Sequence, residues 1–482
     1  MIFDDFRGFL KRADELGLCK TIEGSDWDLE IGGITELGLS DPNSRLLVFD
    51  RIKGYPEGYR VVSNFLNSPS LVALAYGLPP ETSGLDQARA WRDKVNEVFK
   101  AVPPVDVESG PVRENVHTGD DVDLFEFPVP RWHHLDGGRY IGTACMVVQR
   151  DPDEGWVNLG TYRVQVHDKN TATIFIIESH HGDYIRKKYW DRGQTCPAAV
   201  VCGQDPLLWS VAHSSIKAGV SEYDYAGWLR GKPVEVVRGE VTDLPIPATA
   251  EIVLEGEILP PGTEARDEGP FGEWTGYYVT GSREEPAFKV RAVLHRNDPI
   301  ILGAPPQIGR YNYWFGRHIQ RSGFAWAELD RNVPGIVGVW SPPEARMQCM
   351  VIASVKQQYS GHAKQVANLL TGIRHAAYLC RFAIVVDDDI DPSNLSEVLW
   401  ALGTRCEPET SIDIIRGCWG SMMDSMLSPE KKSRGDSSHS QAVIVACKPY
   451  HWIKEFPTSV KSSPQTLSVI REKWGKLLFG TT

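Results

Sequence analysis

The sequence predicts a mixed α+β protein in three successive units. These are an N-terminal α/β unit over 1–110, a central β-rich domain over 111–305 and a C-terminal α/β domain over 306–482. Three observations carry this. The chain has 482 residues, more than one hydrophobic core serves. Strand-like runs punctuated by Gly, Pro and Asp dominate only the middle, while helical periodicity marks both ends. A Pro-rich link, Val102-Pro103-Pro104-Val105, closes the first unit.

In the first unit, Ile2, Phe6, Phe9, Leu10 and Ala13 recur at helical spacing, and Gly17 is placed to end that helix. The apolar run 45–49 then predicts a strand. In the central domain, strands are expected over 142–149, 161–167, 173–177, 198–201, 234–237, 251–254 and 288–294. Many short strands with irregular connections predict a β-barrel or a strongly curved sheet. In the last unit, buried-type strands over 351–355 and 382–386 flank a helix whose face is Ala363, Val366, Ala367, Leu370 and Ile373. The polar stretch 428–440 is expected to be a mobile loop. A final helix starts at Ser463-Pro464, a cap followed by proline, and carries Ile470, Trp474, Leu477 and Leu478 on one face.

Composition narrows the function classes. The net charge of -12 argues against a broad nucleic-acid-binding face. Nine scattered cysteines without a C-x-x-C pair fit reduced thiols better than a disulfide scaffold or a zinc site. The N-terminus has early acids and no apolar core of a signal peptide. No stretch approaches the roughly 18 apolar residues of a membrane span. A cytoplasmic protein is expected. Phosphate-loop, Rossmann, zincin and nucleophile-elbow motifs are all missing.

Four segments have chemical potential. Asn158-Leu159-Gly160-Thr161-Tyr162-Arg163 ends in an arginine suited to a carboxylate or phosphate, although read alone it is better explained by a turn-capping Asn and a surface Arg. Glu178-Ser179-His180-His181-Gly182 follows an apolar strand, where a histidine can be a metal ligand or a satisfied polar residue. Glu222 in Gly219–Gly227 is a ligand candidate or a helix first-turn acid. Glu268-Gly269-Pro270-Phe271-Gly272-Glu273 is the most informative. Two carboxylates flank a rigid turn beside Phe271, Trp274, Tyr277 and Tyr278, an arrangement that can separate their pKa values. The run Asp387-Asp388-Asp389-Ile390-Asp391 reads as a turn with local Asx bonds rather than a metal cluster. The aromatic stretch 311–318, with Arg310 and Arg317, fits a planar-acid pocket or an interface.

Taken in order, these segments resemble the UbiD-like family, which includes polyprenyl-hydroxybenzoate, ferulate and other aromatic-acid decarboxylases. The resemblance also takes in F-R-G-F-L-K-R near the N-terminus, L-P-I-P-A-T-A-E-I-V-L-E-G, and K-Q-Q-Y-S-G-H-A-K. It implies a split β-barrel holding prenylated FMN and a C-terminal domain used for oligomerisation, as a homodimer or larger homo-oligomer. It also implies Mn2+ (or Mg2+) with K+ nearby, and a flavin prenyltransferase as cofactor supplier. On this pattern Asn158, His180 and Glu222 resemble the metal ligands, with His181 the rival to His180. Ser179 and Lys364 resemble cofactor contacts, Lys364 at the phosphate. Arg163, Glu268 and Glu273 resemble the catalytic set. Arg163 would also contact the cofactor, and Glu273 would deliver the proton to the carbon losing CO2. The implied reaction is reversible decarboxylation of an unsaturated, aromatic or heteroaromatic acid through a covalent adduct with the cofactor. Three alternatives remain open: a polyprenyl-hydroxybenzoate enzyme of ubiquinone synthesis, a non-catalytic flavin binder, and a metal-dependent hydrolase using Asn158, His180 and Glu222.

Overall fold

A computed structural model describes residues 3–41, 44–178, 180–214, 216–308, 316–346 and 348–480. The first helix, Phe6–Glu15, begins where Asp5 accepts a hydrogen bond from the Gly8 N–H (2.8 Å). It buries Phe6, Phe9 and Ala13 and stops before Gly17, which adopts φ +68°. Ile2 lies outside the described residues. A four-stranded sheet follows, in the order Cys19–Glu23, Leu46–Asp50, Arg60–Ser63 and Ile300–Leu302. Its last strand returns from the end of the central segment, so the first unit is stitched to the second by sheet hydrogen bonds.

The central sheet has ten strands and curls on itself as a split barrel. Its longest strand, Arg283–His295, pairs along its length with Thr171–Phe175, Ile252–Ile258, Ala265–Glu268 and Asn115–Thr118. A register shift at Glu255/Gly256 bends the pairing, as bulges do. The expected strands in this region are present, with shifted ends. The run over 142–149 is two strands, Arg139–Gly142 and Met146–Arg150.

The C-terminal domain is a five-stranded sheet in the order Ile336–Trp340, Met350–Val355, Phe382–Asp387, His439–Ala446 and Ile412–Cys418. The helix His362–Gly372 buries Ala363, Val366, Ala367 and Leu370 against it. Helix Gly84–Asn96 of the N-terminal segment packs against Arg317–Asn332. Trp91 meets Phe324 edge-on at 6.0 Å, and Arg92 lies 4.5 Å over Trp326.

Three expectations change. The polar stretch 428–440 is not a loop throughout. Ser428 caps a short helix, Pro429–Ser433, and the strand His439–Ala446 begins within it. Lys432 Nζ donates to the Val279 carbonyl (3.1 Å), tying the stretch to the central domain. The aspartate run is only partly a local turn. Asp391 bonds the Ser393 N–H, but Asp387 and Asp389 instead pair with the buried Arg405. Finally, the helix Pro464–Phe479 is capped by Ser463 as expected, yet its apolar face is open. Ile470, Trp474, Leu477 and Leu478 are all exposed. Among the described residues, no helix is long and apolar enough to cross a membrane.

The first helix is anchored by one buried carboxylate. Arg7 grips Glu251 through two hydrogen bonds (2.9 and 2.8 Å), and Arg296 reaches both Glu251 (3.4 Å) and Asp5 (2.9 Å). Burial raises the Glu251 pKa despite these cations, so the anchor fixes position more than it adds stability. Removing one partner still strands buried charge. Glu251→Ala is expected to destabilise the fold by about 3 kcal/mol or more, read as a lower thermal midpoint. An unchanged midpoint would show that the anchor is dispensable.

Candidate active site

The strand Arg163–Val166 is the centre of the site. It pairs antiparallel with Arg139–Gly142 on one side and Thr171–Phe175 on the other. This register sets Tyr140 opposite Gln165 and Phe175 opposite Arg163. The strand Ala265–Glu268 ends with Glu268 opposite Arg283, and the turn to Glu273 folds back over the same place.

Three distant residues meet there. Arg163 Nε and Nη2 each donate to Glu268 at 2.7 Å, and Nη1 donates to Glu273 at 2.7 Å. Glu268 is fully buried, and the other two side chains are nearly so. Phe175 lies between two cations, 3.9 Å from the Arg163 guanidinium and 4.1 Å from that of Arg283. Glu268 has a second holder. The Tyr140 hydroxyl lies 3.1 Å from Glu268 and 3.0 Å from Gln165 Oε1, which also accepts from the Gly269 N–H (2.9 Å). Gly269 takes φ +83°, and a side chain at Gly137 would strike its carbonyl at 1.9 Å, so the turn closes through backbone contact. Phe271 packs on Tyr140 with ring centroids 4.1 Å apart. The expected aromatic crowding is narrower than the sequence suggests, because Tyr277 and Tyr278 are exposed.

Electrostatics separate the members. Burial pushes the Glu273 carboxyl above its ordinary value, against the opposing pull of Arg163. Burial acts to lower the Arg163 pKa, but Glu268 and then Glu273 outweigh it and the net shift is upward. Burial and the Glu268 charge raise the Tyr140 phenol, which stays a donor.

A second cluster adjoins the first through Tyr162. Its ring occupies a slot between two glycines: a Cβ at Gly160 would lie 2.4 Å from it, and one at Gly182 2.7 Å. The Gly182 N–H donates to the Tyr162 hydroxyl (3.0 Å), which lies beside Asn158 and Glu222. The His180 ring is 6.3 Å away. Tyr162 is thus the common neighbour of Asn158, His180 and Glu222. Asn158, on the strand Val157–Gly160, is buried, and among the described residues its Nδ2 makes no well-formed hydrogen bond, its neighbour being the Tyr162 hydroxyl. Glu222, the first residue of the helix Glu222–Arg230, accepts from the Leu159 N–H (2.8 Å). Among the described residues it has no ion-pair partner, and burial pushes its carboxyl up to about 8. His180 caps the helix His181–Trp190, and its pKa is lowered by desolvation and then by Arg317. His181 faces elsewhere, into an open cleft of about 740 Å³ shared with Trp156, Glu178 and Lys187.

Other expected residues fall apart from these. Lys364 pairs with Asp413 in the C-terminal domain. Arg317 begins the helix Arg317–Asn332 and, although far along the chain, stands close enough to His180 to lower its pKa. Ser179, Arg310 and residues 311–315 lie outside the described residues. Sequence reasoning missed Tyr140, Tyr162, Gln165 and Phe175. Only the strand register brings three of these to the cluster, and no spacing in the sequence encodes that register.

Models of the 3-octaprenyl-4-hydroxybenzoate carboxy-lyase N-terminal, Rift-related and C-terminal domains match residues 10–91, 104–307 and 314–446. A phenolic acid decarboxylase of Bacillus subtilis is 33% identical over 427 residues, covering 86% of this chain and 87% of its own. A pyrrole-2-carboxylic acid decarboxylase of Pseudomonas aeruginosa is 34% identical, covering 84% and 83%. Among solved structures, vanillic acid decarboxylase of Sedimentibacter hydroxybenzoicus in its open form superposes with TM-score 0.86 at 30% identity, over 100% of both chains. The UbiD-class enzyme HmfF of Pelotomaculum thermopropionicum, an evolved dimeric form in complex with prFMN, gives 0.80 at 26% identity, over 96% and 98%.

The raised Glu273 pKa carries a stability consequence. Between the ordinary value of 4.5 and the raised folded value, the folded protein holds a proton there that the unfolded chain has released. Above that pH the unfolded state binds fewer protons, so stability falls as pH rises toward the folded value. Glu273→Gln is expected to flatten this fall in a series of thermal midpoints from mildly acid to neutral pH. Parallel curves for the two proteins would contradict the shift.

Proposed function

Because the chain belongs to the UbiD family of carboxy-lyases, we propose that it removes CO2 from an aromatic or heteroaromatic carboxylic acid with prenylated FMN as cofactor. The observation that carries this reading is the buried cluster of Arg163, Glu268 and Glu273. A flavin binder without chemistry has no use for two carboxylates held together out of water, one of them with a raised pKa. The phenolic-acid and pyrrole-2-carboxylic acid decarboxylases among its relatives support a flat, conjugated acid as substrate.

The chain's own residues suit a metal-linked cofactor. Among the described residues Glu222 is a buried carboxylate with no ion-pair partner. A divalent ion would compensate its charge, and the buried Asn158 would offer its Oδ1 as a ligand while its Nδ2 donates to an oxygen of the bound group. Together with His180 they form a mixed O/N donor set that suits Mn2+ or Mg2+ once phosphate and water oxygens complete it. K+ nearby and the Lys364 contact are carried as parts of the same reading. When bound, prenylated FMN supplies the covalent handle and electron sink that decarboxylation needs.

The protein supplies position and a proton. Arg163 orients the substrate carboxylate through its guanidinium, as arginine does for planar anions. Glu268 holds Arg163 and is itself held by Tyr140. Glu273 in its protonated form delivers a proton to the carbon that loses CO2, and takes it back in the reverse direction. Phe175 and Phe271 keep the ion cluster dry, which strengthens each of its interactions. The open apolar face of Pro464–Phe479 supports self-association into a homodimer or larger homo-oligomer.

Two experiments test these roles on protein co-produced with a flavin prenyltransferase. Glu273→Gln is expected to keep its flavin and lose roughly 10²- to 10⁴-fold in CO2 release across phenolic, pyrrole-, furan- and indole-carboxylic acids. Activity near wild type would remove Glu273 from the acid role, and a colourless, fully active wild type would favour a hydrolase. His180→Ala is expected to lose bound Mn2+ and flavin together, measured by elemental analysis and absorbance, while His181→Ala keeps both. The opposite pattern would transfer the ligand role to His181.

A further inference from the structure

One cluster of ligating side chains lies outside everything described so far. Among the described residues, His117, Glu126 and His295 are the group whose donor atoms converge, all within 4.8 Å of one another. Strand pairing explains two of them. Asn115–Thr118 runs antiparallel to the end of Arg283–His295, with His117 opposite Val293 and Asn115 opposite His295. The two histidines are therefore diagonal neighbours on one face of the sheet, and their rings lie 5.3 Å apart. Glu126 arrives from the single helical turn Leu124–Glu126 and points between them. The cluster stands at the opposite end of this 13-residue strand from Arg283.

The hydrogen bonding there is incomplete in a specific way. His295 is 2% exposed. Its Nδ1 lies 2.9 Å from the Arg296 carbonyl, an acceptor, so that nitrogen carries the proton. Nε2 of the neutral ring then offers a lone pair. It lies 3.4 Å from Glu126 Oε1, also a lone-pair atom, and both are buried without a hydrogen-bond partner. Two acceptors facing each other in a buried place need something positive between them. The distances suit a metal ion. Bonds of about 2.0–2.1 Å in a tetrahedral site set ligand atoms about 3.3 Å apart. The observed N···O separations fall close to this, one to each oxygen of the Glu126 carboxylate: 3.4 Å from His295 Nε2 to Oε1 and 3.6 Å from His117 Nδ1 to Oε2, so the carboxylate faces both rings. Half-exposed His117 can turn inward to close the third edge, and solvent can fill a fourth position. The Arg296 carbonyl plays the outer partner that fixes the tautomer of a ligating histidine.

We propose that His117, Glu126 and His295 form a second metal site, selective for Zn2+ or a chemically similar borderline ion, that pins the 119–131 segment to the central sheet. Two imidazoles and one carboxylate favour such an ion over Mg2+ or Ca2+, which prefer all-oxygen sites. The proposal does not depend on the decarboxylase reading, since none of the three residues belongs to the candidate active site.

The test uses the full chain, stripped with a chelator and titrated with Co2+ and then Zn2+. Wild type is expected to develop the visible absorption of Co2+ with nitrogen and oxygen ligands, and Zn2+ is expected to displace it. His117→Ala and Glu126→Gln alter half-exposed side chains and are expected to lose that absorption. Their affinity should fall by at least the roughly 10- to 100-fold that loss of an outer partner costs. Metal-free thermal midpoints within error of wild type show that both variants are folded. His180→Ala is expected to retain the absorption. The proposal fails if wild type binds neither ion, if both variants bind as wild type does, or if only His180→Ala loses the signal. Any of these would leave an imidazolium–carboxylate pair as the explanation of the cluster.

Discussion

The central constraint is that one guanidinium holds two carboxylates out of water. Arg163 makes three hydrogen bonds of 2.7 Å to Glu268 and Glu273. Burying three charges is expensive unless geometry is good and the remaining polar atoms are satisfied. That requirement propagates outward. Glu268 has to end its strand opposite Arg283, Tyr140 has to face Gln165 across another pair, and the turn from Glu268 to Glu273 has to close tightly enough for both acids to face inward. A one-residue slip in any of these pairings turns the side chain to the other face and strands a buried charge. The curl of the central sheet is the shape that lets all of these registers hold at once.

Tyr162 and Arg163 show how two sites share one strand entry. Consecutive residues of an extended chain point in opposite directions. Arg163 points to the acid pair. Tyr162 points the other way, into the slot between Gly160 and Gly182, and touches the surroundings of Asn158, His180 and Glu222. The two glycines are each one residue type away from filling that slot. The short segment from Asn158 to Arg163 therefore ties the candidate metal site to the arginine that holds the acid pair.

Much of this architecture is legible in the sequence, and the limits have physical causes. Periodicity identifies the helices Phe6–Glu15 and His362–Gly372 and most central strands, because one face of each is buried. It cannot identify partners. Arg163 lies 105 residues from Glu268 and 110 from Glu273, so spacing could mark each segment as interesting but could not join them. Only the ordered resemblance to a family put the three together. Tyr140 and Gln165 were invisible for the same reason, and so were His117 and His295, which depend on register. The aspartate run misled because local Asx bonding is the commoner fate of such a sequence, whereas buried Arg405 offered Asp387 and Asp389 a stronger partner. The polar stretch 428–440 misled because a capped turn of helix needs little apolar content when its lysines find acceptors elsewhere.

The two glutamates are not equivalent, and their difference sets the direction of events at Arg163. Glu268 takes two of the three arginine hydrogen bonds, lies within reach of Tyr140 and is fully buried. Glu273 takes one and keeps a sliver of exposure. An incoming carboxylate needs two parallel N–H groups for bidentate binding, and all of the Arg163 bonds seen here are directed to the acids. On the proposed reading, the bond to give way would be the single one to Glu273, because releasing Glu268 would break two hydrogen bonds and leave the most deeply buried acid without its cation. Losing Arg163 would remove the main pull against burial and raise the Glu273 carboxyl further, favouring its protonated form. On the proposed reading, substrate binding and protonation of Glu273 would then be one coupled step, in which the carboxylate that enters replaces the carboxylate that must be neutral to act.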